Sequence, residues 1–129
     1  MSIKLVVLFV SLFVAIISVP VLAHHGTAAY DFDKTVTLTG SITSFEFLNP
    51  HVRFSFDAKD EKGKVENWAA ELPPPSMIRR LGWNRESIKV GDKITITGHP
   101  AKNGSKTLQP MKIQVNGEEL KIGGGGDQY

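Results

Sequence analysis

Five segments of the chain alternate apolar and polar residues with a period of two, which is the pattern of a half-buried β-strand. They lie at residues 34–47, 51–57, 65–72, 93–99 and 107–115. Threonine, valine and isoleucine are frequent in them, as expected of strands. On the later strands the pattern predicts an inward face that includes Val52, Phe54, Phe56, Trp68, Ala70, Leu72, Ile94, Ile96, Met111, Ile113 and Val115.

The first of these strands is long, and two features indicate that it bends. Gly40 lies in its middle, and Phe45 and Phe47 fall on the opposite parity from Ile42. A β-bulge near Ser44 would return both phenylalanines to the inner face. A bent first strand that serves two sheets is therefore predicted.

The pairing of the second and third strands is predicted from the inward position of Trp68. This register puts Phe54 opposite Trp68 and His51 opposite Glu71. A slip of one residue would move each side chain to the other face of the sheet, so the register decides which polar groups share the outer face.

A short helix is predicted between the third and fourth strands. Prolines 73–75 end the third strand, Ser76 is a candidate N-cap, and Gly82 stops the helix. Trp83 and Ile88 are expected to pack this segment onto the strands. Three strands, a helix and two strands predict an all-β, five-stranded OB-like barrel, and a small open β-sandwich is the competing fold.

The first 23 residues have the features of a signal peptide. Lys4 precedes an apolar stretch at 5–19, and the small residues Val21 and Ala23 suit cleavage after Ala23. A helical signal peptide (1–23), an N-terminal arm (24–34), the OB-like barrel (35–116) and a flexible C-terminal tail (117–129) are therefore predicted. The expected location is periplasmic or secreted, without a stable membrane anchor after cleavage; an uncleaved anchor is the alternative.

The charge balance and the absence of catalytic motifs argue against two classes of function. Of 15 basic and 13 acidic residues only Lys4 lies in the leader, so the mature chain is nearly neutral and lacks the basic excess of a nucleic-acid-binding protein. The chain has no cysteine, so its core must be stable without disulfides. We find no nucleophile–base pattern, phosphate loop or paired carboxylates, so the sequence does not support an enzyme.

Cleavage after Ala23 would make His24 the first residue of the mature chain. A free α-amine and the imidazole of the same residue can chelate one metal ion, with a second histidine completing a T-shaped histidine brace. Nitrogen ligands in this geometry favour Cu(II), and both donor types lose their protons to copper near neutral pH. His24 and His25 are thus candidate copper ligands; a terminus without a metal is the alternative.

His51 is the candidate second ligand because it begins a strand after the turn Asn49–Pro50. Glu71 would orient its imidazole, as carboxylates often do for metal-bound histidines. Tyr30 and Asp31 could close an axial position. The alternatives are an outward histidine paired with a carboxylate, and arm residues that tie the arm to the barrel.

These observations predict a periplasmic metal-binding protein, with copper as the metal and another periplasmic protein as a candidate partner. The rival hypothesis is a non-catalytic binding or scaffolding module for a peptide, a glycan or a partner protein. A small oxidative copper enzyme ranks third. His99 and the basic group at residues 79, 80 and 85 are expected to form solvated surface.

The chain resembles a family of small exported bacterial proteins of unknown function. The resemblance covers nearly all of the mature chain and rests on the following residues: His24-His25-Gly26, Tyr30-Asp31, Gly40, Asn49-Pro50-His51, Trp68, Glu71, Arg80-Leu81-Gly82-Trp83, Gly91-Asp92, Gly98 and Pro100. The chain is also similar to bacterial periplasmic OB-fold proteins. These resemblances imply a fold and a compartment, and no chemistry, because one fold serves many functions.

Overall fold

The computed structural model describes residues 27–123 of the chain. The elements in chain order are a 3-10 turn at Thr27–Ala29, β1 (Val36–Phe47), β2 (Val52–Lys59), β3 (Val65–Leu72), α1 (Pro75–Arg80), β4 (Lys93–Pro100), β5 (Thr107–Val115) and β6 (Glu118–Leu120). Within 27–123, no helix has the length and apolar character needed to cross a bilayer. The predicted leader, with His24 and His25, lies outside the described residues.

The strands form one sheet in the order β3-β2-β1-β4-β5-β6, which closes through an additional pairing of β3 with β5. This closing pair is parallel and joins Ala69 to Thr107 and Ala70 to Leu108, whereas the other pairs are antiparallel. The predicted five-stranded barrel with a short helix between β3 and β4 is confirmed.

β1 pairs with a strand on each side, one in each half of the barrel, as predicted from its length and bend. It pairs with β2 through 40–47 and with β4 through 36–41. The β1–β2 register shifts between Ile42 and Ser44, which confirms the bulge predicted near Ser44. Gly40 lies where β1 crosses β2 closely, and a Cβ there would overlap the carbonyl group of Asp57. The bend therefore needs glycine at this position.

The predicted register of β2 and β3 is wrong by two residues. Arg53 faces Glu71 and Phe56 faces Trp68. The cause is the turn: Asp60 accepts hydrogen bonds from the backbone N–H groups of Lys62 and Lys64 at 2.9 and 2.8 Å, so five residues separate the last pair of the ladder, Lys59 and Val65. A shift of two keeps every side chain on its predicted face.

The barrel core consists of buried apolar side chains, and no buried polar or charged residue occurs within 27–123. Its members are Ile42, Phe47, Val52, Phe54, Phe56, Ala58, Ala70, Leu72, Ile78, Trp83, Ile88, Ile94, Ile96, Leu108, Ile113 and Val115. The prediction that Met111 faces inward is wrong. The β4–β5 register shifts between Thr97 and Gly98, whose partners are Lys112 and Pro110, so Met111 is the extra residue and is 46% exposed.

α1 packs one side onto the barrel, as predicted for the segment that contains Trp83 and Ile88. Its first residue is Pro75, and Ser76 makes no capping hydrogen bond, so the predicted cap is wrong. Proline suits the first helical position because the N–H that it lacks would have no helical partner there. The helix stops before Gly82, as predicted, and the φ of Gly82 is 95°. The N–H of Trp83 donates to the carbonyl oxygen of Ile78, and that of Gly82 to the carbonyl oxygen of Arg79.

The predicted boundary between barrel and tail, at 116 and 117, differs from the structure. β6 pairs with the end of β5, and the indole N–H of Trp83 donates to the carbonyl oxygen of Lys121 at 2.6 Å. Asn116 and Gly117 both have positive φ, as a tight hairpin turn requires, so the chain returns along β5 as β6. Residues 124–129 lie outside the described part of the chain.

The Asp92 carboxylate joins two turns at the start of β4 and should make stability pH-dependent. The side-chain amide of Asn116 donates to it at 3.1 Å and the backbone N–H of Lys89 at 2.8 Å, and these hydrogen bonds lower the pKa of Asp92 below its ordinary value of 3.8. A lowered folded-state pKa contributes stability that is present above the unfolded-state pKa and is lost as the pH falls through the folded-state pKa.

We therefore expect Asp92→Asn to destabilise the protein at pH 7 and to have a smaller effect at pH 3. Urea unfolding of both proteins at the two pH values measures this difference. A stability difference that grows as the pH falls would contradict the assignment. Asp33→Asn is the control, because Asp33 uses its backbone N–H, not its carboxylate, in the hydrogen bond to Asp31.

Candidate functional site

The outer faces of β2 and β3 bring together a histidine, an arginine and a glutamate. His51 immediately precedes β2, Arg53 points outward from β2, and Glu71 faces Arg53 from β3. One carboxylate oxygen of Glu71 contacts Nδ1 of His51, and the other accepts a hydrogen bond from Nε of Arg53 at 3.0 Å. The contact predicted between His51 and Glu71 is thus present, although it runs diagonally across the ladder because of the register shift.

The three side chains remain partly open to solvent. The exposed fraction is 43% for the His51 side chain, 42% for Glu71 and 56% for Arg53. Ion pairs at this exposure contribute little to folding stability. Their main effect is geometric: Glu71 contacts Nδ1 of the imidazole, so Nε2 is the ring nitrogen left for a further ligand. This nitrogen is a donor of the type that metal ions bind.

A surface pocket of about 350 Å³ adjoins this cluster. Arg53 and Glu71 contribute to its wall, together with Glu46 of β1 and Tyr30 of the arm, and the small side chains of Ser55 and Ala69 leave its space open. Its lining is a mixture of charged groups, hydroxyl groups and short apolar side chains. Such a composition suits a small polar ligand or a side chain of a partner.

The arm runs along the turn between β4 and β5. Tyr30 forms a bridge with Ala101, and the backbone N–H of Asp31 donates to the carbonyl oxygen of Pro100 at 2.9 Å. The Asp31 carboxylate lies 3.3 Å from the ammonium group of Lys34. The structure therefore brings Tyr30 to the pocket that contains Glu71, whereas Asp31 does not line this pocket and acts in tying the arm to the barrel.

Of the other three histidines, His99 lies within the described residues. Within residues 27–123, no three histidine, aspartate or glutamate side chains are arranged to hold a metal ion. His99 is engaged by the arm: its Nδ1 lies 2.7 Å from the carbonyl oxygen of Lys34, and its ring packs against Phe32 with centroids 4.8 Å apart. His24 and His25 lie outside the described residues, so their predicted association with His51 stays a prediction.

Two residues of this site were not singled out by the sequence pattern. Arg53 contacts Glu71, and Glu46 faces Arg53 across the β1–β2 ladder and lines the same pocket. The available signal was their outward parity, which most charged strand residues share. Only the correct register shows that Arg53 pairs with Glu71.

The strand order, the β3–β5 closure, the bend at Gly40 and the position of α1 define an OB-like barrel. The chain belongs to the family of unknown function DUF6152, whose model matches residues 12–109. The resemblance noted from the sequence to a family without an assigned activity is thereby confirmed. No curated protein matches the chain.

Two solved structures are similar to this chain. One is Rim1, a mitochondrial single-stranded DNA binding protein of S. cerevisiae, with 14% identity, a TM-score of 0.48, and coverage of 66% of this chain and 95% of Rim1. The other is the dimeric N-terminal domain of PriB from Thermoanaerobacter tencongensis, with 21% identity, a TM-score of 0.39, and coverage of 64% of this chain and 96% of that domain.

Proposed function

We propose that this protein is an exported metal-binding domain that takes up Cu(II) through His51 and the N-terminal residue His24. The observation that supports this proposal is the contact of Nδ1 of His51 with the Glu71 carboxylate. A carboxylate on one imidazole nitrogen orients the ring and makes the other nitrogen a better metal ligand. His25 is a further candidate ligand beside His24.

The choice of copper rests on the donor set. An α-amine and two imidazoles supply three nitrogen ligands, which suit the tetragonal geometry of Cu(II), and Cu(II) binds such donors most tightly among the divalent first-row metals. The α-amine of His24 becomes available only if the leader is removed after Ala23. The proposal therefore includes cleavage at this position and a periplasmic or secreted location.

Copper titration of the wild type and three variants, all beginning at His24, tests this proposal. We expect Glu71→Gln to weaken Cu(II) binding by about tenfold, and His51→Ala to weaken it more, by at least about 100-fold, because it removes a ligand and not only the partner of a ligand. His99→Ala is the matched control, because His99 is an outward histidine that the arm holds. Isothermal titration calorimetry gives the affinities, and electron paramagnetic resonance reports the number of nitrogen ligands.

An extra alanine before His24 tests the terminal amine separately. It removes the chelate of amine and imidazole from one residue, so we expect weaker copper binding with an altered resonance spectrum. Equal binding by the wild type, His51→Ala and the extended protein would reject the proposal. If His99→Ala weakened copper binding as much as His51→Ala, copper uptake would be non-specific and the proposal would be wrong.

A second candidate function is a non-catalytic binding or scaffolding module for a peptide, a glycan or a partner protein. The pocket of about 350 Å³ between the arm and the outer face of β1–β3 favours it. This function needs no free α-amine. A protein with an extra alanine before His24 should therefore lose copper binding if the first candidate is right, and should keep the binding function of the pocket if the second is right.

A further inference from the structure

A second recess, separate from the His51 cluster, lies at the end of the barrel where β1 turns into β2. It encloses about 240 Å³, and its lining includes Phe45, Phe47, Leu48 and Arg85. The rings of Phe45 and Phe47 are tilted against each other with centroids 6.1 Å apart. These side chains form an apolar surface at the end of β1.

Two arginines converge on this apolar surface. The guanidinium carbon of Arg79 lies 5.4 Å from the centroid of the Phe47 ring, which is the geometry of a cation–π contact, and Arg85 lines the recess with the same ring. We call the set Phe45, Phe47, Leu48, Arg79 and Arg85 the arginine–aromatic groove. A guanidinium group held on an aromatic face keeps its remaining N–H donors available for an anion.

The groove has an excess of positive charge. Within 27–123, neither Arg79 nor Arg85, nor the neighbouring Arg80, lies within 4.0 Å of a carboxylate. Glu46, which also lines the recess, is a single carboxylate beside the two arginines of the groove. Positive charge without internal partners attracts an anionic ligand.

The groove also exposes apolar surface that the core does not use. Leu48 is 54% exposed at the turn after β1, whereas Phe47, the residue before it, is buried. An exposed leucine and a half-buried phenylalanine beside arginines have the composition of a surface that enters the headgroup region of a membrane. A ligand that combines a phosphate with an acyl chain matches both halves of the groove.

We propose that the arginine–aromatic groove binds an anionic phospholipid at a bilayer surface. The phosphate is held by Arg79 and Arg85, and the acyl region contacts Phe45 and Leu48. The proposal rests on the proposed export only because an exported protein has access to a bilayer surface. It needs neither copper nor His24, so its failure is separate from failure of the copper titration.

Sedimentation with vesicles tests the proposal on the protein that begins at His24. We expect at least about tenfold more binding to vesicles of phosphatidylglycerol and phosphatidylcholine than to phosphatidylcholine alone, with a decrease at high salt. The double variant Arg79→Gln/Arg85→Gln should bind the phosphatidylglycerol vesicles at least about tenfold more weakly than the wild type, and Leu48→Ser should weaken this binding less. All three positions are at the surface, and thermal unfolding verifies that the variants fold.

The matched control removes two charges elsewhere. Lys59 ends β2 and Lys62 lies in the turn that follows, at the opposite end of β2 from the turn after β1, so Lys59→Gln/Lys62→Gln should leave vesicle binding nearly unchanged. An equal loss in the control would overturn the proposal in favour of general charge attraction. Equal binding to both kinds of vesicle, full displacement by inorganic phosphate, or binding of an acidic peptide without vesicle binding would also overturn it.

Discussion

Replacing Gly40 by valine is expected to destabilise the barrel by more than about 2 kcal/mol, and an unfolded protein is within the expected range. Any Cβ at this position overlaps the carbonyl group of Asp57 on β2. β2 cannot move away easily, because β3 pairs with it along its whole length. Urea unfolding followed by circular dichroism measures the loss.

The neighbouring residue supplies the control for this substitution. Ser41 is exposed on the same strand, so Ser41→Val adds the same branched side chain where space is available. We expect it to change the free energy of unfolding by less than about 0.5 kcal/mol. A Gly40→Val protein as stable as Ser41→Val would show that β1 and β2 can separate at the crossing, contrary to the close approach described above.

Replacing Phe56 by alanine is expected to lower the free energy of unfolding by about 3–5 kcal/mol. Phe56 is fully buried, and it faces Ile42 of β1 on one side and Trp68 of β3 on the other. Its removal leaves a cavity between three strands that cannot collapse together without breaking the ladder. A protein of this size has a stability of the same order as this loss, so Phe56→Ala should melt far below the wild type.

Phe32→Ala is the matched control for the core substitution. Phe32 is 50% exposed in the arm and contacts the ring of His99. The same change of side chain there should have an effect of less than about 1 kcal/mol, because no core cavity results. Comparable losses in the two variants would mean that the arm contributes as much to stability as the centre of the sheet.

The two proposed sites lie close together in the chain and at the same end of the barrel. His51 follows Leu48 by three residues, and the turn between β1 and β2 joins the two. Glu46 lines both the pocket beside Glu71 and the arginine–aromatic groove. A protein bound to a membrane through this groove would therefore present His51 near the bilayer surface, where copper binding and lipid binding can be measured together.

The candidate site could be predicted in part. His51 and Glu71 were identified because a histidine that starts a strand and an outward glutamate on the next strand are local features. The predicted register is wrong by two residues, but His51 and Glu71 are still in contact, because a shift of two leaves both side chains on the outer face of the sheet. Arg53 and the pocket it lines could not be predicted, since both depend on which residues face each other across the ladder.

The errors in the fold share a cause. Met111 was predicted to face inward because the alternation of β5 continues through it, and the bulge that exposes it arises only where β5 meets β4. β6 was not predicted because three residues are too few for a clear alternation, and the structure forms this strand on the edge of β5, next to the contact of Trp83 with Lys121.

The sequence by itself determined the five long strands, the place of the helix, most of the inward-facing side chains of these strands, and the bend of β1. It could do so because alternation, glycine and proline act within a few residues. The tertiary structure alone decided the register of β2 and β3, the position of Met111, the closure of β3 on β5 and the grouping of Arg53 with Glu71 and His51. These features depend on turn lengths and on contacts between residues that are distant along the chain.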